Sequence, residues 1–129
     1  MTSTSTESPE VHGYHAHVYY NQDTSAVAQK LHDALAENFP IEVGMLRDDP
    51  VGPHPVSQFA AILKPEHFQT VIPWLMLNRD GLDILVHPLT DDQVEDHSTF
   101  ALWLGMPIDL RLDVLPRRGY RDALLPKAA

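Results

Sequence analysis

The chain has 129 residues, 43% of them hydrophobic and 21% charged, the size and composition of one globular domain with a real core. Its formal net charge of −9 argues against nucleic acid or an anionic membrane as a partner, because phosphates demand a basic surface. With no cysteine, disulfides, thiolate metal sites and cysteine nucleophiles are excluded, so any metal must be held by imidazole and oxygen.

The first residues, Met1 to Ser8, are Ser/Thr-rich and lack the basic and apolar regions of a signal peptide. A disordered tail over 1–13 is expected, and a cytoplasmic location with it. No apolar run approaches the roughly 20 residues of a spanning helix.

Tyr14 to Tyr20 alternates as a strand, with His15, His17 and Tyr19 on one face and Tyr14, Ala16, Val18 and Tyr20 on the other. Two imidazoles two residues apart on a strand suit one metal, though such pairs are often only solvated surface. Asn21 to Thr24 supplies turn and N-cap chemistry. Val27, Leu31, Leu35 and Phe39 then form the stripe of an amphipathic helix over 25–39, ended by Pro40. Ile41 to Leu46 alternates like a half-buried strand, and 47–55 is a proline-rich loop. Val56 to Leu63 is the next strand. Pro65 opens a second helix with Phe68, Ile72, Leu75 and Met76 as its apolar stripe, kinked or divided at Pro73. Asn78 to Gly81 closes it, and Leu82 to His87 is a strand stopped by Pro88. Asp91 to Leu104 is expected as a short helix ending at Gly105. Ile108 to Leu115 alternates as a last exposed strand, and 116–129 is a loose tail.

The order strand, helix, strand, strand, helix, strand predicts an α+β, ferredoxin-like βαββαβ domain over 14–115 with helices on one face of an antiparallel sheet. The first strand should be central, between the third and fourth. On the fourth, Asp83, Leu85 and His87 then share the open face with His15, His17 and Tyr19, so two neighbouring strands aim histidines at one surface. His54, in Val51-Gly52-Pro53-His54-Pro55, is either a turn residue or a ligand carried over the sheet. Antiparallel pairing sets His87 near the start of the first strand and His54 near its end, too far apart to share an ion unless the loop folds inward. His97 is either a first-turn surface residue of a helix capped by Asp96 or Ser98, or an acid/base or further ligand. His32 and His67 fall in helices and are expected at the surface. No phosphate-binding glycine loop, dinucleotide fingerprint, His-Glu-x-x-His or Gly-x-Ser-x-Gly is present. Imidazole with oxygen suits Fe(II), Zn(II), Mn(II) or Cu(II), and composition does not choose among them.

His15-Ala16-His17-Val18-Tyr19-Tyr20, Gly52-Pro53-His54-Pro55, Asn78-Arg79, Leu85-Val86-His87-Pro88, Asp96-His97 and Trp103-Leu104-Gly105 occur in this order. Together the set resembles the DOPA 4,5-dioxygenase family, from about Tyr14 to Leu115. The resemblance implies a ferredoxin-like fold and extradiol cleavage of a small catechol by O2 at a non-haem Fe(II), with Zn(II) or Mn(II) as other occupants. It carries the metal role onto His15, His17, His54 and His87, of which three suffice, and proton transfer or a substrate hydrogen bond onto His97. Asp83 would be the carboxylate ligand if one is needed. Arg79 would pair with a substrate carboxylate or simply tie down a helix end. A homodimer is expected from the open sheet face and by analogy. The competing expectations are a non-catalytic metal- or small-ligand-binding dimer of the same fold, and a subunit whose open face serves dimerisation.

Overall fold

Tyr14–Tyr19 (β1) forms the middle of a five-stranded sheet in the computed structural model, which describes residues 8–116. Ser25–Asn38 (α1) follows a turn held by the Asn21 side chain, whose Oδ1 accepts from the backbone N–H of Asp23 and Thr24. Ala28, Leu31 and Leu35 are its buried residues. Phe39 already has extended backbone, as the residue before a proline must. Glu42–Val43 (β2) is shorter than the alternation over 41–46 suggested, because it is an edge strand paired on one side only. Gln58–Leu63 (β3), Phe68–Asn78 (α2) and Ile84–Pro88 (β4) complete the expected order.

Helix α2 runs through Pro73 undivided. The missing N–H frees one carbonyl, that of Gln69, which is exposed and can be met by water. Burial of Val71, Ile72 and Leu75 outweighs that loss, at about 1.5–3 kcal/mol for each large apolar side chain taken from water. Val71 takes the core position expected of Met76, which is exposed.

Two expectations fail in the C-terminal third. The helix expected over 91–104 is only Gln93–Asp96 (α3), followed by turns and a fifth strand, Leu102–Leu104 (β5), which pairs with β4. Leu102 and Trp103 meet Val86 and Leu85 there, so tertiary pairing overrode the local signal. The strand expected over 108–115 is a single 3-10 turn, Leu112–Val114, and the sheet ends at β2 and β5 without it.

The sheet order is β2-β3-β1-β4-β5, antiparallel throughout. Its first four strands have the ferredoxin-like arrangement, with β1 between β3 and β4. Both long helices pack on one face, where Ala16, Val18, Phe59, Ala61, Leu63, Ile84 and Val86 meet Leu31, Leu35, Ile72 and Leu75 in the core. Pairing continues past β1, since His12 and Gly13 exchange backbone hydrogen bonds with Leu89. The parts of the expected tails at 1–7 and 117–129 lie outside the described residues. Among the described residues, no helix is long and apolar enough to cross a membrane.

Candidate metal centre

The face of the sheet away from the long helices carries the histidines. Register places His15 beside His87 of β4 on one side and Ile62 of β3 on the other. His17 lies between Leu85 and Ala60. Strand alternation alone brings His15, His17 and His87 together, with ring centroids 5.1–5.4 Å apart.

His54 reaches the same place by a folded loop. Val51 and His54 exchange backbone hydrogen bonds of 3.2 and 3.0 Å around Gly52, whose φ of 55° is one that glycine adopts without strain. The Pro53 carbonyl accepts from the Arg111 N–H at 2.8 Å, which pins the turn from outside. The His54 ring consequently lies 4.1 Å from that of His17, and the separation inherent in a paired sheet is removed.

His97 is not a first-turn surface residue. The cap of α3 is Asp92, whose carboxylate accepts from the Val94 and Glu95 N–H groups, so His97 falls at the C-terminal end of the helix and turns inward. Asp96 is buried and accepts from the backbone N–H and the hydroxyl of Thr90, which fastens α3 to the end of β4. His97 thereby sits 3.9 Å from the His87 ring.

All five imidazoles are buried. Two sets of three have ligand atoms within 4.8 Å of one another: His15, His17 and His87, and His17, His54 and His97. His17 belongs to both. A buried set of this kind can bind a metal ion.

Hydrogen-bond partners assign the tautomers. A carbonyl oxygen only accepts, so His17 donates from Nδ1 to Gln58 Oε1 (2.9 Å), His87 from Nδ1 to the Pro88 carbonyl (2.8 Å) and His97 from Nδ1 to the Gln93 carbonyl (2.7 Å). A neutral imidazole carries one N–H, so each Nε2 is left as a bare lone pair. The Nε2 atoms of His17 and His87 face each other at 3.0 Å, and two lone pairs at that distance repel unless a cation lies between them. Two ligands about 2.1 Å from one ion and at a right angle are about 3.0 Å apart. Fixing Nδ1–H by a carbonyl or amide is also how metal-bound histidines are usually oriented. The donor set fits a metal. The Tyr19 hydroxyl lies 2.7 Å from His54 Nδ1, leaving Nε2 as the atom of that ring available for coordination.

Burial keeps His17, His54, His87 and His97 uncharged. It holds His17 and His87 well below the usual imidazole pKa, with further lowering from the neighbouring histidines. His54 falls to about 4, again through burial first and then His97 and His15. His97 is lowered by burial, against the bond to Gln93. Neutral imidazole is the form that coordinates a metal.

The histidines line a cleft of about 360 Å³ with apolar walls that include Val51, Pro53, Ala60, Ile62 and Leu115. Asp83 does not reach it. The side chain of Asp83 accepts from the Met106 N–H at 2.8 Å at the far end of β4, four residues from His87. Arg79 is likewise a helix-end group, donating to the Leu82 carbonyl at 2.9 Å. His32 packs edge-on against Phe59 and bonds Asp33, and the His67 ring accepts from the Lys64 N–H. Sequence reasoning missed Gln58 and the two carbonyl partners, because which side chain lies behind a histidine depends on register and loop path.

The Dopa 4,5-dioxygenase family model matches residues 14–114. The chain is 36% identical over 113 residues to an uncharacterized 21.2 kDa protein of Botryotinia fuckeliana, covering 77% of this chain and 62% of that protein. It is 35% identical over 116 residues to the DOPA 4,5-dioxygenase of Amanita muscaria, covering 83% and 51% respectively. The chain thus spans between half and two thirds of the length of these curated relatives. Its fold matches the crystal structure of a protein from Nostoc punctiforme, provisionally described as a dioxygenase, with a TM-score of 0.79 and 43% identity over 81% of this chain and 90% of that one. With the match covering nearly all the described residues, the chain belongs to the Dopa 4,5-dioxygenase family.

Proposed function

We propose that this protein is a non-haem, Fe(II)-dependent extradiol dioxygenase that opens the ring of a small catechol with O2. The observation that carries the reading is the meeting of five buried imidazoles in one cleft, three of them with Nδ1–H fixed so that Nε2 is bare. Family membership supports an oxygenase as the class of enzyme.

The ion would be held by His15, His17 and His87, which stand on adjacent paired strands. Bound iron would supply the redox coupling between catechol and O2, both of whose atoms enter the ring-opened product. His54 and His97 come from the loop and the short helix over the sheet and face the substrate. His97, neutral through burial and bare at Nε2, takes the proton of a catechol hydroxyl as the diol binds. Tyr19 holds the His54 ring in place. The apolar walls receive the catechol ring and exclude water.

The test is anaerobic loading with Fe(II), followed by a catechol in air, with oxygen uptake and product absorbance read together. One O2 consumed per ring opened supports the reading, and stoichiometric iron without turnover on any catechol overturns it. Single alanine variants divide the roles. Loss of iron is expected for His15→Ala, His17→Ala and His87→Ala. Retained iron with turnover lowered at least a hundredfold is expected for His97→Ala. Retained iron in His15→Ala and His87→Ala, with loss in His54→Ala and His97→Ala, would move the ion to the other set.

A further inference from the structure

Among the described residues lining the histidine cleft there is no carboxylate and one permanent charge, that of Arg47. This is unusual for a chain with 18 acidic and 9 basic residues. Arg47 is exposed at the rim of the cleft, but its backbone is held in place. Its N–H donates to the Gln58 carbonyl at 2.9 Å and its carbonyl accepts from the Gln58 N–H at 3.0 Å, a two-bond antiparallel bridge. Residues opposed in this way send their side chains to the same face of the sheet. The Gln58 side chain points at His17 Nδ1, so Arg47 stands on the histidine face. No carboxylate among the described residues forms a salt bridge with its guanidinium. Glu42, opposite Ile62 on the same face, does not line the cleft and is not a free group.

We infer that Arg47 is a specificity-determining residue that receives the side-chain carboxylate of the substrate, and that the preferred substrates are catechols bearing a carboxylate without an α-ammonium. The inference rests on the catechol reading above. A guanidinium matches a carboxylate through two parallel hydrogen bonds. Arg47 lies two strand spacings from β1, about 10 Å, a gap that its own side chain and a substrate tail of a few carbons span between them. An ammonium on that tail would approach the like charge of Arg47, with no carboxylate among the described lining residues to offset it. A 3,4-dihydroxyphenyl-alkanoic or -alkenoic acid satisfies the site, while a catechol amine opposes it.

The experiment uses the full-length protein loaded with Fe(II), with 3-(3,4-dihydroxyphenyl)propionate, 4-methylcatechol, L-DOPA and dopamine as probes. Two quantities are read: kcat/KM in air and affinity by calorimetry without oxygen. The propionate should exceed 4-methylcatechol and L-DOPA in both. In Arg47→Ala and the more conservative Arg47→Gln, the propionate-to-4-methylcatechol ratio should fall about ten- to hundredfold, the worth of a charge-assisted hydrogen bond. In Arg47→Glu the preference should turn toward dopamine. A ratio unchanged in all three variants, or a wild-type preference for L-DOPA or dopamine, overturns the inference. If no catechol is turned over but the affinity ratio falls as stated, ring cleavage fails and the carboxylate subsite stands.

Discussion

His17 is the side chain on which both candidate ligand sets depend, and Gln58 is what orients it. The amide accepts the imidazole Nδ1–H at 2.9 Å, and both residues are buried, so no water can replace that partner readily. Gln58→Leu keeps the volume and removes the acceptor. Metal affinity is expected to fall about ten- to a hundredfold, the usual effect of losing such a partner, while the fold persists. Competition for Zn(II) with a chromogenic chelator measures it, and unchanged affinity would show that the sheet alone holds the ring. The same reasoning applies with opposite outcome to Arg79 and Asp83. Both are engaged by backbone groups outside the cleft, and neither is expected to alter metal binding when replaced.

At the level of elements, the site is assembled by three different means. Strand register supplies His15, His17 and His87, a pinned turn supplies His54, and the end of α3 supplies His97. β5 bears on this cluster indirectly, since the Trp103 ring stacks on that of Tyr19 at 6.0 Å and the Tyr19 hydroxyl bonds His54. Gly105, just after β5, has a φ of 87°, and a Cβ there would run into the Asp83 carboxylate and the Arg79 guanidinium. Gly105→Ala is therefore expected to destabilise the protein by about 1–3 kcal/mol through left-handed backbone strain and crowding. Urea unfolding measures that loss. Iron stoichiometry should be unaffected at a temperature where the variant is folded, and iron lost from folded protein would mean that β5 does position β4 at the site.

Across the whole molecule, burying several titratable rings has a cost in acid. Well above pH 6.5 the rings of His17, His54, His87 and His97 are neutral whether the chain is folded or unfolded. Between 6.5 and about 4 the unfolded chain binds protons that folded His54 refuses, so stability falls as pH drops. His17, His87 and His97 act in the same direction. His54 alone is worth about 3 kcal/mol across that window, at 1.36 kcal/mol per pKa unit. The metal-free protein should thus lose thermal stability steadily from pH 7 to 4.5, with a shallower loss in His54→Leu. A midpoint that stays level over that range would refute the argument. Bound metal stabilises the neutral rings further, by mass action on the folded state, and should steepen the decline as acid displaces it.

Much of this arrangement was legible in the chain. Side chains alternate along any strand, so the pattern from Tyr14 to Tyr20 already put His15, His17 and Tyr19 on one face, and the pattern from Leu82 to His87 did the same for His87. The order of strands and helices then made those two strands neighbours, because the ferredoxin-like connection leaves β1 between β3 and β4. Local signals failed where pairing with a distant strand decided the outcome: β5 formed where a helix was expected, and 108–115 pairs with no strand of the sheet. They also could not place loop-borne groups. Whether His54 and His97 met the strand histidines depended on the turn at Gly52, the clamp from Arg111 and the anchoring of Asp96 to Thr90. The alternating chemistry of the histidine strands is a property of L-residues in extended backbone, present in the sequence by itself. The closing of the cleft over them, with Gln58 behind His17 and Arg47 at its wall, exists only once residues far apart in the chain are packed together.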